Sequence, residues 1–492
     1  MGSDRLGKKT AVGFIWALSQ TVAGRVINIA GHILLAWLLA PTDFGLISLA
    51  YTALVFGSVL QRAGLNYVLV QRQATLSEWQ DAGLWLGFAF GLIATLLLVA
   101  AAPLISSLYD EPALLGLILL LSAVPLLDGL AVVPNARLQV DLRFRAIAIV
   151  NFAYTATHIV VAVLLAWRGM GAYAFIVGHV AAIALRSILF WFIAPVAVRF
   201  QLGIAKWPSM IRDGAKLVLS GLCTNLMFQA DYIVLGILHS STSVGLYYFA
   251  YRLSTQSIQL ISTSLSNVLF PAFSKLQEDK GRQYAAFLKS ASLLVYIVTP
   301  ICFIQAAIVP PGIRLIFESK WYPSIPMLQI LCIGMAFRVL YPISNSMLRA
   351  CGRFTLHMVL SMISAGIFIS AVTSMAFIGD GVYVAIGASA AFAILGPGIL
   401  HQAFLSVGGS FMDVCRVLFR PVLCSIAAMI IAMLASQYMH QLGLSSAGNL
   451  SLTFLAGASA YLLASCCLMR RQQVELIRVC AQLIKRQRPH EN

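Results

Sequence analysis

Charge is what this chain has least of. Of its 492 residues, 10% are Asp, Glu, Lys or Arg, against roughly 25% in an ordinary soluble protein. Acid is scarcer still, with 17 Asp and Glu set against 33 Lys and Arg. A chain that is 60% hydrophobic, at mean hydropathy +0.88, has too little charge to clothe a water-soluble globule. Soluble enzymes and soluble binding modules are therefore excluded. Catalytic signatures are missing too: there is no GxSxG, no HExxH, no P-loop and no pair of carboxylates in a loop long enough to hold a substrate. The loops assigned to the outside are all short, which argues against a polysaccharide polymerase or ligase built on a large external loop. The nine cysteines (Cys223, Cys302, Cys332, Cys351, Cys415, Cys424, Cys466, Cys467 and Cys480) show no CxxC and no Cys/His metal spacing, and read as small core residues. His158, His179, His357 and His401 sit singly in or beside apolar runs and read as satisfied core residues. No cofactor and no metal is expected.

What is there is a series of apolar runs near the ~20 residues that span a bilayer. They fall near 12–39, 44–61, 82–107, 113–134, 146–167 and 171–194, then near 215–238, 244–270, 285–309, 323–348, 355–378 and 381–404. Two more follow near 417–437 and 448–469. The expected fold class is an all-α polytopic membrane protein with about 14 transmembrane helices. The first run resembles a signal peptide only superficially. Arg25 interrupts it, no small-residue cleavage site follows, and it continues to Ala40, so it should stay attached.

A formal charge of +16 suggests nucleic acid until its placement is considered. With the N-terminus cytoplasmic, only Arg168, Arg314 and Lys320 of the 33 basic residues fall in outward loops. Four more lie inside spans (Arg25, Arg186, Arg252 and Arg338), and all the others collect on the cytoplasmic side. That is the positive-inside pattern, and it puts both termini in the cytoplasm. The basic loops orient the chain first and touch anionic lipid second. No nucleic-acid partner is expected.

The chain also repeats itself. At an offset of 200, Ala30, Leu35 and Leu38 match Ala230, Leu235 and Leu238, and Thr42, Gly45, Leu46, Ala50 and Tyr51 match Thr242, Gly245, Leu246, Ala250 and Tyr251. Further on the offset becomes 210, where Asn135, Leu138, Arg143 and Phe144 meet Asn345, Leu348, Arg353 and Phe354. The repeats run parallel because each starts on the cytoplasmic side, an arrangement typical of transporters with a site between the halves. The expected organisation is a six-helix bundle over 1–198, a basic cytoplasmic linker with a surface helix over 199–216, and a second six-helix bundle over 217–405. Two peripheral helices over 406–470 and a basic cytoplasmic tail over 471–492 complete it. The outward stretch from Pro310 to Tyr322 is expected to form a short interfacial turn, with Trp321 and Tyr322 at headgroup level.

The charges do not follow the repeat: Arg25 faces Asn225, Asp231 faces Gly31, and Arg252 faces Thr52. In the first span Thr21, Arg25, Asn28 and His32 recur at i, i+4, i+7 and i+11, on one helical face. In the eighth, Arg252, Thr255, Gln256, Gln259, Ser262, Thr263, Ser266 and Asn267 form a polar stripe. Such a stripe lines a bundle interior or a watered cavity; the other reading is a helix–helix seam rich in small polar residues. The intramembrane acids are Asp128 and Asp231. Asp231 has two readings, an ion pair with Arg25 or Arg252 and a site of proton or Na⁺ coupling.

Several stretches resemble the Wzx-type flippases of lipid-linked oligosaccharides, in particular the colanic-acid type within the polysaccharide-transporter branch of the MATE-like MOP superfamily. They are AGLNYVLVQRQ (Ala63–Gln73), VGLYYFAYRL (Val244–Leu253), NVLFPAFSKLQE (Asn267–Glu278) and IFESKWYPSIPMLQILC (Ile316–Cys332). The blocks NVLFPAF and KWYPSIPMLQ are the specific ones. The resemblance implies two six-helix bundles in a MATE-like V, with helices 1, 2, 7 and 8 lining a central cavity, plus two C-terminal helices. It implies a flippase that moves an undecaprenyl-diphosphate-linked oligosaccharide repeat unit from the inner to the outer leaflet of the bacterial cytoplasmic (inner) membrane. Exopolysaccharide, capsule or O-antigen synthesis would use it. The expected partners are that lipid-linked oligosaccharide, membrane lipids, and polysaccharide polymerase or export proteins, around a monomeric carrier.

Such a substrate carries about two negative charges and many hydroxyls, and hydrocarbon penalises each unsatisfied polar group by several kcal/mol. A carrier needs cationic groups for the diphosphate, and Arg offers a bidentate fork for its oxygens. The candidate substrate contacts are Arg25 and Arg252, with Arg62 at the cytoplasmic mouth. Asn28, His32, Gln256 and Gln259 are the candidate sugar contacts, and Asp231 the candidate coupling residue. The alternative is a MATE-like cation-coupled drug antiporter, which should cluster acids in one bundle. A membrane glycosyltransferase or acyltransferase lacks its catalytic loop.

Overall fold

A computed structural model describes residues 23–61, 65, 69, 76–196, 202–443, 445–469 and 473. Arg62, the tail after residue 473, and the side chains of Gln259, Ser262, Thr263, Ser266 and Asn267 lie outside the described part. The first helices are α1 (Ala23–Leu38), α2 (Pro41–Gln61), α3 (Leu76–Leu108) and α4 (Ala113–Val140, interrupted at Ser122). After them come α5 (Phe144–Trp167), α6 (Ala172–Ile193) and α7 (Trp207–Leu238). Then come α8 (Ser241–Lys275), α9 (Lys280–Ile316), α10 (Ser324–Ala350, interrupted at Val339), α11 (Phe354–Ile378) and α12 (Gly381–Leu405). The last two are α13 (Phe411–Gln441) and α14 (Ser446–Leu468). Among the described residues ten helices are long and apolar enough to cross a membrane, with Ala23–Leu38 and Thr224–Leu238 as shorter apolar ones. The chain is an all-helical, multi-pass membrane protein. Leu104, Trp167, Phe192 and Phe377 stand exposed on it, as lipid-facing side chains do.

Lipid offers the backbone no hydrogen bonds, so helices must satisfy themselves. Three interior prolines show how. Pro134 cannot donate to Leu130, and the carbonyl it frees accepts from the Trp191 indole at 3.0 Å. The carbonyl of Tyr296, freed by Pro300, accepts from the Tyr461 hydroxyl at 2.8 Å. That of Ala306, freed by Pro310, accepts from the Gln329 amide at 3.0 Å. Each donor comes from a neighbouring helix, so the prolines tie helices together.

The last case corrects the expectation for 310–322. Helix α9 runs through Pro310 and Pro311 to Ile316, leaving only a 3₁₀ turn at Ser319–Trp321. Trp321 is 0% exposed and stacks on Phe249 with centroids 4.1 Å apart, so it is a core anchor and no headgroup residue. Burying so large a ring against another aromatic outweighs an interfacial position for its N–H.

The chain divides into two compact units, residues 1–245 and 246–492. In the first, α5 packs on α6, α3 on α4, and α2 touches α3, α4, α6 and α7. In the second, α9 packs on α10, α13 and α14, and α12 on α10, α11 and α13. Helix α7 begins at Trp207, inside the stretch read as linker, and Lys206 lies 5.1 Å from the Trp79 ring.

Positions paired in the sequence carry the same local geometry. Arg143 N donates to Leu138 O at 2.9 Å, and Arg353 N to Leu348 O at 3.0 Å. Both arginines cap the helix that follows, with φ −83° and −86°. The residue before each is left-handed: Leu142 at φ +53° and Gly352 at φ +71°. Leu39 and His239 end their helices on the same bond, to Leu35 O and Leu235 O, both at 2.8 Å. Within the first unit Gly45 and Gly245 approach one another: a Cβ on Gly45 would strike Ser241 O, and one on Gly245 would strike Pro41 O.

Candidate functional site

The polar residues picked from the sequence separate by unit. On α1, Arg25 and Asn28 are half-buried, and the Asn28 amide donates to its own helix at Gly24 O, 3.0 Å away. His32 is buried, its ring 6.1 Å from Phe175 of α6. On α7, Asp231 is 0% exposed and accepts from Tyr232 N at 3.0 Å. On α8, Arg252 and Gln256 are half-buried. Thr255, in the expected stripe, is buried, and its hydroxyl bonds its own helix at Tyr251 O (3.1 Å) and Arg252 O (3.0 Å). A buried hydroxyl can satisfy itself on the preceding helical turn.

The structure brings together a set the sequence scattered. In the first unit, Asp128 of α4 pairs with Arg186 of α6. Arg186 lies 5.2 Å from the ring of Tyr154 on α5. The Tyr154 hydroxyl is 3.1 Å from His179 Nδ1. The His179 ring sits 5.4 Å from that of His158 and 5.1 Å from that of Tyr51 on α2. His158 also meets Phe175 edge-on at 4.7 Å. The two histidines are thus neighbours, not the single core residues that their separation in sequence implied. The signal was there: Tyr154 and His158, and Phe175 and His179, are each four apart and so share a helix face.

The first unit also holds a cleft of about 330 Å³ bordered by α2, α3 and α7. Leu49, Phe56, Leu97, Leu98 and Ile233 make it apolar. Tyr109 closes one end, and burial pushes its hydroxyl up to about 12, so it stays neutral. Beside Thr52 and Tyr109 the cleft offers hydrocarbon contacts and no charged side chain among its lining residues.

In the second unit Arg338 of α10 lies over the rings of Tyr251 (5.6 Å) and Phe392 (5.8 Å).

A family model described as polysaccharide biosynthesis protein matches residues 34–326. The chain belongs to that family. It is a Wzx-like family of transporters, not of enzymes, as the NVLFPAF and KWYPSIPMLQ blocks implied. The succinoglycan biosynthesis transport protein ExoT of Rhizobium meliloti (strain 1021) is 25% identical over 302 residues, 61% of this chain and 61% of ExoT. The lipopolysaccharide biosynthesis protein WzxC of Escherichia coli (strain K12) is 24% identical over 398 residues, 79% of each chain. Among solved structures, the lipid II flippase MurJ in an inward closed conformation matches with a TM-score of 0.76 at 16% identity, over 93% of this chain and 99% of that one. An inward-facing MATE family multidrug resistance transporter of the MOP superfamily matches at TM-score 0.62 and 13% identity, over 80% and 98%. These last two likenesses establish a MurJ- and MATE-like fold for the family member. Two residues of the block that carried the resemblance, Trp321 and Gln329, are structural, one a core anchor and the other the donor to Ala306.

Proposed function

We propose that the chain moves an undecaprenyl-diphosphate-linked oligosaccharide repeat unit from the cytoplasmic to the outer leaflet of a bacterial cytoplasmic membrane by alternating access. It does so through fourteen crossings, two parallel six-helix repeats and two further helices, with both termini cytoplasmic. The observation that carries the reading is an arginine, half-buried on an apolar helix, in each of α1 and α8 of a polysaccharide-biosynthesis transporter. An arginine at such a place is costly and suits an anionic diphosphate, whose oxygens its fork matches. Arg62 serves the cytoplasmic mouth, and Asn28, His32, Gln256 and Gln259 the sugars. Asp231, fully buried on α7, is the candidate for proton or Na⁺ coupling on that helix, its other reading being an ion pair with Arg25 or Arg252. The apolar cleft beside α2, α3 and α7 suits hydrocarbon, which needs no polar partner.

Deleting the gene and analysing the lipid-linked pool tests this. The expected result is a lipid-linked repeat unit trapped on the cytoplasmic leaflet, released by re-expression. An unchanged pool with altered dye efflux would replace the reading with a drug antiporter.

A further inference from the structure

We propose that His158 and His179, with Tyr154 and Tyr51, form a proton-binding site inside the first unit. Histidine is the side chain whose charge changes between about pH 5 and 8. Two such rings, 5.4 Å apart on packed helices, make a pair that takes one proton and resists a second.

The surroundings suit both charge states. The Tyr154 hydroxyl, 3.1 Å from His179 Nδ1, donates to the neutral ring and accepts from the protonated one, since a hydroxyl can do either. The proton adds to an imidazole nitrogen, the tyrosine O–H rotates, and no other bond changes. Aromatic rings replace the water that a charged imidazole loses on burial: Tyr51 lies 5.1 Å from His179, and Phe175 lies 4.7 Å from His158.

Every packed element contributes a group that bears on the pair. His32 of α1 lies across Phe175, Tyr51 comes from α2, and Tyr154 from α5 itself. From α6 comes Arg186, which Asp128 of α4 neutralises in an ion pair, so its charge does not repel the incoming proton. The site joins four helices: His158 on α5, His179 on α6, Tyr51 on α2 and, through Phe175, His32 on α1. A change of charge there alters the packing of α1 and α2 against α5 and α6. Coupling that change to substrate movement rests on the transporter reading above; binding of the proton does not.

Nitrogen-15 NMR of histidine-labelled full-length protein in lipid nanodiscs reads the site directly, with the eight histidines assigned by single substitution. The His158 and His179 signals should both move between pH 5 and 8. His158→Gln should shift the midpoint of His179, His179→Gln that of His158, and Tyr154→Phe that of His179. Both rings neutral and unmoved throughout, or titrating with no effect on one another, would overturn the proposal. Coupling is read in proteoliposomes with undecaprenyl diphosphate as the probe. An imposed proton gradient should speed wild-type flipping at least tenfold. That stimulation should be lost in His179→Gln and kept in His401→Gln, whose ring faces Phe411 in the second unit. Full stimulation in His179→Gln would remove the pair from coupling. A wild type that flips no probe at all would instead sink the transporter reading and leave the titration to decide the site.

Discussion

In the first unit Asp128 holds Arg186; in the second the residue 210 positions after Asp128 is itself an arginine, Arg338, set over Tyr251 and Phe392. Around the first lie Tyr154, His179 and His158; around the second the next ring is Phe368, 5.1 Å from Phe392. One scaffold thus surrounds two different interiors. The first places a carboxylate against a cation and adjoins two neighbouring histidines. The second holds a cation over the ring faces of a tyrosine and a phenylalanine. Turn geometry is set by backbone hydrogen bonds and survives such divergence, as Arg143 and Arg353 show. Interior chemistry is set by single side chains, and one substitution changes it.

Breaking the pair tests the contrast most strongly. Asp128→Asn leaves half-buried Arg186 against an uncharged partner and should cost about 2–3 kcal/mol, while replacing both by Leu and Met should recover most of the loss. Arg338→Lys, which keeps the charge and weakens the ring contacts, should cost about 0.5–1 kcal/mol. Thermal unfolding of the purified full chain measures both; equal losses would erase the distinction between the units. The units should behave alike where the backbone is concerned. Trp191→Phe in the first and Gln329→Leu in the second each strip a donor from a carbonyl freed by proline, and each should lose about 0.5–2 kcal/mol. One effect has opposite signs in the two copies. Leu142→Gly should stabilise by about 1 kcal/mol, because φ +53° strains a side chain, and Gly352→Leu should destabilise by about as much. The same unfolding series reads this, and a shared sign would contradict matched turns.

The helices were legible because a bilayer imposes length and apolarity on a chain with few charges. The family was legible in NVLFPAF and KWYPSIPMLQ, and the paired registers in the 135–144 and 345–354 turns. Trp321 was misread because Pro310-Pro311 suggests a loop, whereas Gln329 from a neighbouring helix satisfies the carbonyl that Pro310 frees. The histidines were missed because their partners lie 21 residues apart, on two helices whose facing sides hydropathy does not reveal. Thr255 was placed in a stripe facing a bundle interior or a cavity, and a sequence stripe does not say which hydroxyls bond their own helix.

The central claim is that arginines on α1 and α8 carry an anionic lipid-linked substrate across. The direct measurement is the leaflet distribution of undecaprenyl-diphosphate-linked repeat units in cells expressing Arg25→Ala with Arg252→Ala at normal abundance. Losing one charge-assisted contact costs about 1.5–3 kcal/mol, roughly 10- to 150-fold in affinity. The account predicts repeat units accumulating on the cytoplasmic side, with partial recovery in the Arg→Lys variants, which keep the charge and lose the fork. Export at the wild-type rate by the well-expressed double variant would contradict it.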